Sequence, residues 1–147
     1  MAGATDRANG QRFVLDSSVA LSWCFPDEKN SAASRLLKQL RSATVAVPTL
    51  WFLEVSNALL SGERQGRLTP LESKEALALL SRLPLDVDDN AGKAFSEDIL
   101  EMAREYNLTT YDASYLELAQ RLSLPIATLD TKLLKAAKAM HVAVFRP

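Results

Sequence analysis

The chain has 147 residues, 48% of them hydrophobic and 24% charged, with a formal net charge of −1. That is the composition of one globular domain large enough to bury a real core, and it supplies no global basic field of the kind that coats nucleic acid through charge alone. No apolar run approaches the ~18 residues of a membrane span, residues 1–11 lack the apolar stretch of a secretory signal, and the single cysteine, Cys24, excludes an internal disulfide, so a cytoplasmic setting with no membrane contact is expected.

Residues 1–11 read as a polar, disordered lead-in, and residues 12–147 as a single domain of alternating strands and helices. Arg12 to Leu15 is a short apolar strand, followed by helices over Ser17 to Trp23 and Asn30 to Arg41, the second with Ala33, Leu36, Leu37 and Leu40 at helical spacing. Thr44 to Val47 is a β-branched strand stopped by Pro48. A helix over Thr49 to Leu60 exits at Gly62 and Gly66. Another starts at Thr69-Pro70-Leu71-Glu72, where Thr69 caps, Pro70 fixes the first helical position and Glu72 reaches back. Leu85 to Val87 is a strand, Asp89 to Tyr106 one long helix, and Asp112 opens a further helix. Ile126 to Leu129 and Val142 to Phe145 are strands, separated by a helix over Thr131 to Met140. Such alternation predicts an α/β fold with a mostly parallel sheet of about five short strands covered on both faces. The C-terminal ends of parallel strands and the N-termini of the helices then share one edge, the edge where ligands bind in open α/β sheets.

Four carboxylates fall on or just beneath that edge. Asp16 and Asp130 each end an apolar strand, Asp112 opens a helix, and Glu54 lies about five residues, or about 8 Å, into its helix. Taken singly, three have ordinary explanations. Asp16 and Asp130 are placed to cap the helices that follow them, and Asp112 to complement a helix dipole. Glu54 is not at a cap. It shares a helix face with Leu50, Trp51, Asn57, Ala58 and Ser61, and no lysine or arginine lies between Arg41 and Arg64, so its charge needs a distant partner: a long-range salt bridge or a cation. Two carboxylates ~4 Å apart repel by about 4 kcal/mol at an effective dielectric of ~20, so acids gathered in one place call for a divalent ion. Oxygen-only donors with no histidine or cysteine nearby suit Mg²⁺ or Mn²⁺ rather than zinc. Ser17, Asn57 and Thr128 flank the acids and are candidates to orient them or a bound water. Tyr115 lies on the helix face of Asp112 and reads as core. The lone His141 leaves serine–histidine catalysis without a base, and the five scattered glycines form no phosphate-binding loop.

The segments Phe13-Val14-Leu15-Asp16-Ser17-Ser18-Val19, Leu53-Glu54-Val55-Ser56-Asn57-Ala58-Leu59, Tyr111-Asp112-Ala113-Ser114-Tyr115 and Ala127-Thr128-Leu129-Asp130, in this order and spacing, resemble the PIN-domain nucleases, most of all the small VapC-type toxins of toxin–antitoxin pairs. The resemblance covers about residues 12 to 146. It implies a three-layer α/β/α sandwich and a Mg²⁺- or Mn²⁺-dependent endoribonuclease. Its metal-binding and catalytic acids are Asp16 and Asp112, with Glu54 and Asp130 completing the set. It also implies an RNA substrate, arrest of translation, a homodimer and neutralisation by a cognate antitoxin. Arg64, Arg67, Lys132 and Lys135 are candidate contacts to the RNA backbone. Two other readings stay open: a catalytically silent PIN-like binding module, and a doubly wound phosphotransfer protein using an aspartate nucleophile. The latter lacks the paired aspartates such proteins carry after the first strand, since Ser17 and Ser18 follow Asp16.

Overall fold

The computed structural model describes residues 10–147. Most of the expected lead-in over residues 1–11 therefore lies outside the described residues. Within them, four parallel strands, β1 (Arg12–Leu15), β2 (Thr44–Pro48), β3 (Leu85–Asp88) and β4 (Ile126–Ala127), form a sheet in the order β3-β2-β1-β4. The helices are α1 (Ser17–Cys24), α2 (Ser31–Gln39), α3 (Leu50–Arg64), α4 (Pro70–Leu80), α5 (Ala91–Ala94), α6 (Glu97–Tyr106), α7 (Thr110–Leu122) and α8 (Thr131–Ala139). Helix α1 packs with α2, α3 and α4. Helix α7 packs on β1, β2 and β4 and gathers α6 and α8.

The core follows from the apolar runs. Phe13, Val14 and Leu15 are wholly buried, as a central strand covered on both faces requires. Trp51, Val55 and Leu59 line one stripe of α3, and Tyr115, Leu116, Leu118 and Ala119 make α7 a nearly buried helix. At the start of α4, the Thr69 side chain accepts from the Glu72 N–H while Glu72 accepts from the Thr69 N–H, the reciprocal cap expected of that sequence.

Two expectations need correction. The fifth strand over Val142 to Phe145 does not form: the segment makes a single parallel bridge, Ile126 to Val144. Helix α8 ends with His141 in the left-handed region (φ 56°), and β4 offers only two residues to pair with, because beyond Ala127 the chain turns its polar groups inward. The long helix over Asp89 to Tyr106 is instead two, α5 and α6, broken at Phe95 and Ser96. Ser96 is extended, and its hydroxyl accepts from the Ile99 N–H at 3.4 Å and donates to the Lys93 carbonyl at 2.8 Å, so it caps a new helix rather than continuing the old one.

The strand order fixes where a ligand site belongs. From β1 the chain moves outward to β2 and then β3, whereas β4 sits on the other side of β1. The boundary between β1 and β4 is a topological switch point. There the register pairs Leu15 with Ala127, so Asp16 and Thr128 leave adjacent strands at the same level.

Candidate functional site

Asp16 occupies the N-cap position of α1 with extended backbone, yet its side chain caps nothing. Its carboxylate turns toward β4 instead. One oxygen, Oδ2, accepts from the Thr128 hydroxyl at 2.7 Å and from the Ser18 hydroxyl at 2.5 Å. Both donors are themselves fixed: the Leu129 N–H donates to Ser18 Oγ at 3.0 Å and the Asp130 N–H to Thr128 Oγ1 at 3.0 Å. Asp16 is 3% exposed. Burial pushes its carboxyl above the ordinary range. The two hydroxyls pull it back, and the charges of Asp112 and Asp130 push it up further.

Glu54 is half buried on α3. Its Oε1 accepts from the Tyr115 hydroxyl of α7 at 2.5 Å, a bond that joins two helices across the sheet edge. Burial raises the Glu54 carboxyl, the Tyr115 bond opposes the rise, and the charges of Asp16 and Asp112 add to it. Tyr115 itself is held well above the usual phenol range, by burial and then by Glu54. Asp112 sits in the first turn of α7, which Thr109 caps by accepting from the Asp112 N–H at 3.1 Å. Its carboxyl is raised, first by burial and also by Asp130, while the Thr109 hydroxyl and Lys132 draw it down. Asp130 does cap α8: its Oδ1 accepts from the N–H groups of Lys132 and Leu133 at 2.8 and 3.0 Å.

The four acids thus act on one another electrostatically, and none of the five ion pairs among the described residues involves them. Among the described residues no long-range salt bridge neutralises Glu54. Among the described residues no hydrogen bond reaches Oδ1 of Asp16, Oε2 of Glu54 or Oδ2 of Asp130. Such hard, uncompensated oxygens are the donor chemistry of Mg²⁺ or Mn²⁺. Among the described residues, however, no three His, Cys, Asp or Glu side chains converge into a ready-made metal cage.

The supporting residues differ from those the sequence singled out. Thr128 contacts Asp16 directly. Ser17 is buried beside the Tyr115 hydroxyl rather than against an acid. Ser18 takes the place expected of it, since Ser17, first in α1, turns toward α7 while the next residue faces β4. Asn57 is exposed and makes no hydrogen bond to any of the four acids. Tyr115 is core, as its position on α7 suggested, but its polar tip reaches Glu54. A buried tyrosine sharing a face with a site acid was the available signal, because such a hydroxyl must find an acceptor. Of the candidate cations, Arg67 is committed elsewhere, to Asp27 and Glu28, with its guanidinium 4.3 Å from the Phe25 ring centre. Lys132 is exposed, in none of the ion pairs, and near enough to act on Asp112.

Comparison with known proteins agrees with this architecture. A ribonuclease named VapC3 from Pyrobaculum aerophilum is 26% identical over 122 residues, covering 83% of this chain and 92% of that one. The solved structure of PAE2754 from the same organism superposes with a TM-score of 0.67 at 25% identity, covering 95% of this chain and 87% of the other. FitAcB from Neisseria gonorrhoeae shares the fold, with a TM-score of 0.58 at 20% identity over 90% of this chain and 96% of that one. The model of the PIN domain family matches residues 13–139, a span that includes all four acids and all of the sheet but Arg12, and the chain belongs to that family.

Proposed function

We propose that this protein is a metal-dependent endoribonuclease that hydrolyses RNA phosphodiester bonds as the toxin of a toxin–antitoxin pair, arresting translation until a cognate antitoxin neutralises it. The observation that carries the reading is the state of Asp16: buried at the switch point of the sheet, held through one oxygen by Ser18 and Thr128, its charge answered by no lysine or arginine among the described residues. A carboxylate kept in that condition fits a cation site better than a structural role. The 26% identity to a ribonuclease supports the class of reaction. The toxin role, the antitoxin and a homodimeric state follow from the resemblance of the four motifs to VapC-type toxins.

In this reading Asp16 and Asp112 hold the ion, with Glu54 and Asp130 completing the site directly or through water. When bound, a divalent ion supplies a hydroxide-generating Lewis acid and offsets charge growing on the phosphoryl oxygens. The chain's own groups do the rest. Ser18 and Thr128 leave Asp16 no freedom to rotate toward α1. Tyr115 fixes the Glu54 carboxylate and keeps its second oxygen available to orient an attacking water. Asp130, anchored through Oδ1 by the α8 amides, keeps Oδ2 unbonded and close enough for its charge to act on Asp112. Lys132, close enough for its charge to act on Asp112, would offer a substrate phosphate a positive partner.

The test is cleavage of a defined RNA by purified protein freed of any antitoxin, with and without EDTA. Wild type should cut and EDTA should stop it. An Asp112→Asn variant that folds yet retains full cleavage would overturn the assignment of the site.

A further inference from the structure

Resting on the ribonuclease reading, a cavity beside the acidic edge bears on the form of RNA the site accepts. It measures about 480 Å³ and is lined by Phe95, Ser96, Glu97, Leu100, Arg104 and Thr110. Thr110 opens α7 two residues before Asp112, so cavity and acid share one helix N-terminus. Phe95 stands at the break between α5 and α6 and is 94% exposed, the highest value among the exposed large apolar side chains of the described residues. Ser96, bonded to Ile99 and Lys93, fixes the corner from which the ring projects. Arg104 is exposed and belongs to none of the ion pairs among the described residues.

A bare aromatic face, an unpaired guanidinium and the Glu97 carboxylate in one concavity do not suit a purely apolar partner, which would strand both charges. Nor do they suit an RNA duplex, whose base faces are stacked away. An unpaired nucleobase uses all three: its ring stacks on Phe95, its backbone phosphate meets Arg104, and an exocyclic amino group donates to Glu97. With a net charge of −1 the protein has little general attraction for RNA, so local stacking is the available means of holding a strand. We propose that this cavity is a binding subsite for one unpaired nucleobase flanking the bond to be cut, with Phe95 as its stacking platform.

The experiment measures binding of a short fluorescein-labelled single-stranded RNA and of a fully paired hairpin by anisotropy, in EDTA so that nothing is cleaved. Wild type, Phe95→Ala, Phe95→Trp and Arg104→Gln are compared, with melting temperature and light-scattering mass for each. Loss of a base–aromatic stack weakens binding roughly tenfold. Phe95→Ala should show that loss for the single strand alone and Phe95→Trp should restore it. Arg104→Gln should weaken binding and flatten its salt dependence. In cleavage with Mg²⁺, Phe95→Ala should raise KM and leave kcat near wild type. If wild type cleaves RNA and Phe95→Ala binds the single strand equally well, the subsite is wrong while the ribonuclease reading stands. If Phe95→Ala halves the mass without changing affinity, Phe95 belongs to a contact between copies, and the subsite is again wrong. If wild type neither binds nor cuts RNA, the ribonuclease reading fails and the subsite falls with it.

Discussion

The Tyr115 hydroxyl donates to the Glu54 carboxylate from 61 residues further along the chain, and this one bond ties α7 to α3 above the edge of the sheet. Removing it leaves a half-buried carboxylate without its donor. Tyr115→Phe should therefore destabilise the protein by about 1–2 kcal/mol, read as a lower urea midpoint at unchanged slope. A double-mutant cycle with Glu54→Gln should return a coupling on the order of 1 kcal/mol. Additive effects would show that the bond contributes nothing to folding.

The acids should make the metal-free protein less stable as pH rises. Asp16, Glu54 and Asp112 are all raised, first by burial, from ordinary values of 3.8, 4.5 and 3.8. From those values up to the raised ones, the folded state holds more protons than the unfolded chain. Stability falls with pH across that window, and the loss is complete above it. In EDTA, Asp16→Asn should then be more stable than wild type at neutral pH, with the advantage shrinking in acid. Millimolar Mn²⁺ should raise the wild-type melting temperature and leave the variant nearly unmoved. Equal melting curves with and without Mn²⁺ would count against the site.

Arg121 joins α7 to the end of β3, with Nη2 2.8 Å from Asp88 Oδ2 and Nε 2.7 Å from Glu117 Oε1. Its removal leaves two carboxylates facing each other at a partly shielded position. Arg121→Ala should cost about 2 kcal/mol in chemical denaturation, more than a surface pair would. Arg121→Lys should recover only part of it, since an ammonium cannot span both acids as the planar fork does.

Gly62 lies against Phe25. A Cβ there would sit 2.5 Å from Cε1 and 2.8 Å from Cζ of the ring, which itself packs under Arg67. Gly62→Ala should therefore be destabilising by about 1–3 kcal/mol despite alanine's better helix propensity. A companion Phe25→Leu should relieve part of the penalty, as thermal unfolding of the two variants and their combination would reveal.

The alternation of apolar runs was enough to read the parallel sheet, the edge that carries the acids and the α4 capping box, because each depends on neighbours within a few residues. What escaped depends on contacts far apart in sequence. Asp16 looks like a cap from its neighbours. Only the pairing of Leu15 with Ala127 brings Thr128 near enough to draw the carboxylate away from α1. Asp130 is the opposite case, a true cap whose second oxygen stays unbonded, so the ordinary and the functional readings are compatible there. The choice between Ser17 and Ser18 turns on which side of α1 faces β4, and the expected fifth strand failed for want of a partner longer than two residues. At Ser96, local capping outweighed the helical period on either side.

The hold on Asp16 has a consequence for how the protein is made. Its two clamps are Ser18, which leaves the ribosome with it, and Thr128, which follows 112 residues later. Until β4 has emerged the nascent chain therefore displays an aspartate that is not yet set in place, and Asp16 is clamped from both sides only once Thr128 has followed.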